Sequence, residues 1–376
     1  EIAMIQLGFA FNFNVQRCEI EVGDEAQIIN KGYRPLIDLF EKYHLKANCF
    51  LSGFTTKLLE NEAPDLLATI KELHGKTLEL GTYTYTHPIP QLLKKEEFSR
   101  QMRKGLDIDR EVLGVETDGF LPPEFAYSGE MGEVLADEGV KWFVALASQI
   151  EKGLKSAGIT RDPYVPFKVR LADDRSLVAV PAVYQLPQTP ARFFKLMMKG
   201  QVPVDTVIEG VREFAEAHPG GLLLFKRDAE TIFIDMFNSG FEGTFEVMDE
   251  FLSKLSQLDC IQPSFISETM SSCDESLEIM LPDYLGNTKI ETFTEGAAQS
   301  IWDATVEVRD ALIACDRKHK SNETIEEAWE HLMLSHNSDG RIGYWFSEWN
   351  PGEHVVAPSR RTFVEEHLAH AKALLD

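Results

Sequence analysis

No stretch of this 376-residue chain carries the run of about 18 apolar residues that a membrane-spanning helix needs. Cysteine is scarce and scattered. Cys18, Cys49, Cys260, Cys273 and Cys315 are odd in number and include no C-x-x-C pair, so neither a structural zinc site nor a disulfide framework is indicated. Reduced thiols in a cytoplasmic protein are the expectation. The chain begins at Glu1 with no basic and apolar leader, which is also compatible with a leader already removed. Positive charge is in deficit, 37 Lys and Arg against 61 Asp and Glu, for a formal net charge of −24. Such a surface lacks the cations that nucleic acid and anionic membranes require, and it fits a soluble protein with a neutral or cationic partner. There is no glycine-rich phosphate loop, and no Ser or Cys sits in a nucleophile elbow.

What is present is enough hydrophobic material, 44% of the residues, to fill a substantial core. The length suggests one large domain or a large one with a smaller companion. The first two-thirds alternates two patterns. Apolar runs such as IQLGFAF (5–11), LKANCFLS (45–52), TLELGTYTY (77–85), KWFVAL (141–146), LVAVPAVYQ (177–185) and LLLF (222–225) read as strands covered on both faces. Between them, YRPLIDLFEKYH (33–44), APDLLATIKELHG (63–75), KEEFSRQMRKGLDIDREVLG (95–114), EMGEVLADEGV (130–140) and DTVIEGVREFAEAHPGG (205–221) read as helices. Repeated strand–helix units predict an α/β fold with a parallel sheet, either barrel or open. Residues 147–176 lack clean periodicity and are read as a long excursion over one end of the sheet. After about Met270 the texture becomes helical, which predicts a barrel or sheet domain over 1–270 and a helical bundle over 271–376.

Candidate chemistry gathers where strands end, because groups at the carboxyl ends of parallel strands are where such folds bind and react. FKRDAETIF (225–233) places Arg227, Asp228 and Glu230 at the exit of a buried strand. GFLPPEFAYS (119–128) places Glu124 after two prolines, a stiff mount for one carboxylate, although a plain proline turn with an exposed Glu reads the same way. Two carboxylates facing one cleft can divide the roles of nucleophile and acid. ELGTYTYTHPIPQLL (79–93) crowds Tyr83, Tyr85 and His87 at another strand end, and NSDGRIGYWFSEWNPGEH (337–354) sets Trp345 among aromatic neighbours. Aromatic faces beside hydrogen-bonding groups suit sugar rings, but such residues also serve as strand and interface filler. A metal-dependent deacetylase would use one Asp and two His. Here Tyr83 stands where the first His would be, FNFN lacks the paired Asp, and His87 alone does not make a metal site.

These segments, in this order, resemble glycoside hydrolase family 57. YRPLIDLFEKYHLKANCFLSGFTTKLLE is similar to that family's first helix and second strand, LELGTYTYTHPIPQLL to its next strand and loop, and AWEHLMLSHNSDGRIGYW to its closing helical region. GFLPPEFAYS resembles the segment bearing the family's nucleophile, matched by Glu124. FKRDAETIF resembles the segment bearing its general acid, matched by Asp228. The resemblance implies an incomplete (β/α)7 barrel followed by a helical C-terminal domain near the active-site cleft. It implies retaining hydrolysis or transglycosylation of an α-glucan or α-galactoside, an oligosaccharide or polysaccharide partner, and no metal or other cofactor. Retention would require the two carboxyl groups about 5–5.5 Å apart. Arg227 and Glu230 would support Asp228, with Tyr83, His87 and Trp345 in the substrate site. One departure is plain. The family's first strand carries His-x-His-Gln-Pro, whereas this chain has Asn12, Phe13, Asn14, Val15 and Gln16. Asparagine still donates and accepts hydrogen bonds but does not titrate near neutral pH, so an altered sugar subsite is expected. A noncatalytic sugar-binding homologue is the competing reading, and retention of both carboxylates speaks against it.

Overall fold

The computed structural model describes residues 4–15, 24–184, 186–235, 243–286, 289–318, 321–341 and 358–376. Ten strands are described: β1 Ile5–Phe13, β2 Ala47–Leu51, β3 Leu78–Thr82, β4 Gly119–Phe120, β5 Trp142–Leu146, β6 Phe167–Arg170, β7 Ser176–Ala182, β8 Leu222–Asp228, β9 Ile261–Pro263 and β10 Glu278–Ile279. Seven of them lie side by side in the order β7, β5, β4, β3, β2, β1, β8, each parallel to its neighbours. The ring closes through a single parallel bridge beyond β7, where Val183 N–H donates to the Leu224 carbonyl at 2.8 Å and Lys226 N–H donates to the Val183 carbonyl at 3.3 Å. This is the parallel, helix-covered architecture that the alternating pattern predicts. β9 extends the sheet beside the first residues of β1, where β2 does not reach.

The alternation of side chains along each strand separates two layers. Outward residues Leu7, Phe9, Phe11 and Phe13 of β1 and Leu223 and Phe225 of β8 pack under the helices. The helix Arg34–Lys42 buries Leu36, Ile37, Leu39 and Phe40, and the Phe40 ring meets Phe9 and Phe11 edge-on at 4.9 and 5.4 Å. Truncating such a buried phenylalanine costs about 3–5 kcal/mol. Inward residues Ala10, Phe50, Trp142, Val144, Val180, Leu222 and Leu224 fill the barrel. Phe50 and Trp142 meet at 6.0 Å in a T-shape, and two glycines make room for them. A Cβ on Gly119 would lie 2.0 Å from the Trp142 ring, and one on Gly81 would lie 2.5 Å from Phe50. Phe50 and Trp142 therefore help plug the barrel interior, and the strands' carboxyl ends form its mouth.

Residues 147–176, read as a long excursion over one end of the sheet, contain regular structure. Ala147–Ser156 is a helix, and β6 runs antiparallel to β7. The helix was hard to see because Gln149 and Gly153 occupy its buried face. β10 then pairs with β6, so sheet pairing continues as far as Ile279. The helices Gln299–Arg317, Glu323–Ser335 and Pro358–Leu375 share a separate apolar cluster around Ile301, Leu312, Trp329, Leu332, Val364 and Leu368. No described helix is long and apolar enough to cross a membrane.

Candidate active site

Period-two alternation carries β1 and β8 into the mouth with the same faces inward. Ala10 and Leu224 face the barrel interior, so Asn12, Lys226 and Asp228 continue that face, and Asn12 is in register with Asp228. Lys226 Nζ lies 2.6 Å from Asp228 Oδ1 and also sits over the rings of Phe125 and Tyr184 at 5.5 and 5.3 Å. Arg227 leaves by the opposite face. Its guanidinium donates to the Ala191 carbonyl at 3.1 Å and stacks 4.4 Å from Phe194, in the layer between barrel and helices. The cation in an ion pair with Asp228 is Lys226, while Arg227, expected to support Asp228, acts on it through charge from the outer layer.

Glu124 sits in a single 3-10 turn, Pro123–Phe125, directly after β4. Its backbone is left-handed, with φ 57° and ψ 18°, and Phe125 follows at φ 54°. Thr84 and His87, in the loop after β3, are also left-handed, with φ 65° and 58°. Such residues cost about 1–3 kcal/mol each and cluster where a side chain must be aimed. The prolines stiffen the turn, and buried Gln149 donates to the Phe125 carbonyl at 3.2 Å.

A hydrogen-bonded chain runs between these loops. The Tyr83 hydroxyl meets His87 Nε2 at 2.5 Å, His87 Nδ1 meets Ser338 Oγ at 2.6 Å, and Ser338 Oγ donates to Glu124 Oε1 at 3.3 Å. Ser338 comes from the helical C-terminal region and is anchored a second time by its own N–H, which donates to the His87 carbonyl at 2.9 Å. Tyr83, His87, Lys226 and Ser338 are all buried, whereas Glu124 and Asp228 keep partial access to solvent.

The electrostatics tie the loops together. Burial raises the Tyr83 hydroxyl well above its usual pKa, and the charges of Glu124, Asp228, Asp339 and Glu230 add to this. Burial lowers His87 to about 4, so its imidazole is neutral at neutral pH. Burial acts to raise Asp228, but the Lys226 charge and hydrogen bond, with a hydrogen bond from Asn12, outweigh it and hold the carboxyl below its usual range. Burial also acts to strip the proton from Lys226, and the charge of Asp228 reverses that. Glu230 behaves oppositely to Asp228: burial raises it to about 7 even though the Tyr33 hydroxyl and the Asn14 N–H both donate to it. The side-chain carbonyl oxygens of Asn12 and Asn14 are buried and accept no hydrogen bond among the described residues.

Among the described residues, no group of three or more His, Cys, Asp or Glu is placed to hold a metal ion. Trp345 lies outside the described residues. Lys226, Tyr184, Ser338 and Asp339 join the site without having been singled out in the sequence. Lys226 carried a usable signal, because it shares strand parity with Asp228. Ser338 and Asp339 carried none, because only the folding of the chain's two halves brings them to the mouth.

Residues 10–282 match glycosyl hydrolase family 57. The chain belongs to that family. The family 57 match runs from the second half of β1 through β10 and includes Asn12, Glu124 and Asp228. Solved structures share the fold. A 4-α-glucanotransferase from Thermococcus litoralis superposes with a TM-score of 0.72 at 16% identity, over 99% of this chain and 60% of that one. A family 57 branching enzyme from Pyrococcus horikoshii gives 0.71 at 15% identity, over 96% and 88%. An α-amylase from Thermotoga maritima gives 0.68 at 12%, over 100% and 93%. A curated peptidoglycan deacetylase from Helicobacter pylori is 21% identical over 147 residues, 39% of this chain and 43% of that protein. The chain thus spans less than two-thirds of the length of the deacetylase and of the glucanotransferase.

Proposed function

We propose that this family 57 chain is a retaining α-glucan hydrolase or transglycosylase. Glu124 attacks the anomeric carbon. Asp228 protonates the departing glycosidic oxygen and later takes a proton from the incoming water or sugar hydroxyl. The observation that carries the reading is the shared surroundings of the two carboxylates. Glu124 leaves β4 and Asp228 leaves β8, yet both charges act on the same Tyr83, Tyr184 and Lys226 at one barrel mouth. The buried Asn12 and Asn14 carbonyl oxygens, which accept no hydrogen bond among the described residues, would be the acceptors for sugar hydroxyls, with Tyr83 and His87 beside them. The helices from Gln299 onward make up the second domain, which lends Ser338 to the site. The Glu230 carboxyl holds the Asn14 backbone and so shapes the first-strand subsite. The described cysteines Cys49, Cys260, Cys273 and Cys315 are unpaired, in keeping with a cytoplasmic enzyme.

The test is a screen of malto-oligosaccharides, glycogen and aryl α-glucosides, with aryl α-galactosides as a separate arm. Products are read by proton NMR within the first turnovers. The reading expects α-configured glucan products. Initial β-anomers would end the retaining assignment, and turnover confined to the galactosides would end the glucan assignment. Glu124→Gln and Asp228→Asn should each lower turnover by at least about a thousandfold.

A further inference from the structure

Lys226 is an unusual residue to find beside an acid/base carboxylate. It is a buried amine on the same inward face of β8 as Asp228, with its ammonium 2.6 Å from the carboxylate. Its ammonium also lies over the rings of Phe125, in the turn that carries Glu124, and of Tyr184, at 5.5 and 5.3 Å. Around Asp228 the other facing groups are Glu124 from the turn after β4, Tyr83 and His87 from the loop after β3, Tyr184 after β7, Glu230 after β8, and Asp339 from the helical region. The carboxylates among these repel a negative Asp228, and His87 is neutral at neutral pH. The charge of Arg227 also acts on Asp228, from the outer layer, so among the described residues Lys226 is the cation within hydrogen-bond distance of Asp228.

We infer that Lys226 is a positioning residue that sets the proton affinity of Asp228 and so fixes the alkaline limit of catalysis. The inference rests on the proposed role of Asp228. In the cleavage step the Asp228 O–H bond breaks, its proton forms a bond to the glycosidic oxygen, and the C–O electron pair leaves with that oxygen as Glu124 bonds to the anomeric carbon. The carboxylate left behind is stabilised by the Lys226 ammonium at 2.6 Å. Proton donation is thereby made easier, and the protonated fraction at high pH is made smaller. The direction of the Asp228 pKa agrees.

The experiment compares parent, Lys226→Met, Lys226→Arg and Asp228→Asn by the pH dependence of kcat/KM. Two substrates are used: maltopentaose, whose leaving group needs a proton, and α-maltosyl fluoride, whose leaving group does not. Removing an opposite charge at this range should raise the alkaline limb of Lys226→Met on maltopentaose by about 1–3 pH units. Lys226→Arg should stay near the parent, and on the fluoride the limbs of the parent and both Lys226 variants should coincide. A folded Lys226→Met with the parent limb on maltopentaose, or equal shifts on both substrates, would overturn the inference. Carbon-13 NMR titration of aspartate carboxyls in the parent, with Asp228 assigned through Asp228→Asn, decides the matter should Lys226→Met not fold. A carboxyl titrating at or above about 3.9 would refute it. An Asp228→Asn variant as active as the parent on maltopentaose would instead remove the two-carboxylate reading itself.

Discussion

Glu230→Gln separates the charge of a buried carboxyl from its hydrogen bonds. Glu230 is 4% exposed, and its Oε1 accepts from the Tyr33 hydroxyl and from the Asn14 N–H. Its pKa rises from 4.5 to about 7 in the folded chain. Below the lower value the carboxyl is protonated in both states and adds nothing to the pH dependence. Between the two values only the unfolded chain loses the proton, so stability falls as pH rises. Above the higher value both states are ionised and the full loss stands, about 3 kcal/mol at ~1.4 kcal/mol per unit. Glutamine keeps an oxygen that can accept from both donors and cannot ionise. Urea unfolding of parent and variant from acid to mildly alkaline pH should give a stability difference that grows in favour of the variant across that window and then levels. His87 contributes in the opposite sense. Its folded value of about 4 lies below the ordinary histidine value of 6.5, so stability falls as pH drops through that range. His87 is present in both proteins and cancels in the difference. A pH-independent difference, or one that grows against the variant with rising pH, would refute the assignment of Glu230 as a strained buried acid.

Gly119→Ala should destabilise by about 1–3 kcal/mol or more, because the new methyl meets the Trp142 ring, and a second change of Trp142→Leu should recover part of the melting temperature. Ser338→Ala removes the hydroxyl between His87 Nδ1 and Glu124 Oε1. The loss should lower stability by about 1–3 kcal/mol and depress kcat more than it raises KM, as steady-state kinetics and melting curves on one preparation will show. Equal effects of Ser338→Ala on kcat and on an inert sugar's affinity would argue that the hydroxyl serves packing alone.

The two carboxylates were legible because each sits on a short, stiff connection after a strand, where local sequence and three-dimensional position nearly coincide. LLLF ran straight into Asp228, and Pro122-Pro123 straight into Glu124. Lys226, the ion-pair partner of Asp228, was overlooked although strand parity puts the two on one face. Arg227 has the stronger side chain for ion pairing, but alternation turns it outward onto Phe194. The helix Ala147–Ser156 and the antiparallel β6 were missed because a glycine and a buried glutamine blur the period that marks a helix, and a four-residue strand offers little alternation. Ser338 was beyond local reading. Its role depends on the antiparallel bridge between Pro88 and Asn337, a contact between distant parts of the chain.

The central claim is that Glu124 forms a bond to the anomeric carbon while Asp228 handles the proton. Its most direct measurement is peptide mass mapping of Asp228→Asn after exposure to a 5-fluoro-α-glucosyl or α-maltosyl fluoride, which loads the nucleophile without needing an acid and lets the adduct persist. The account predicts one added glycosyl unit on the peptide containing Glu124, and none when Glu124→Gln is combined with the same background. A glycosyl unit on any other side chain would contradict it, as would turnover of the fluoride to a β-product with no adduct formed.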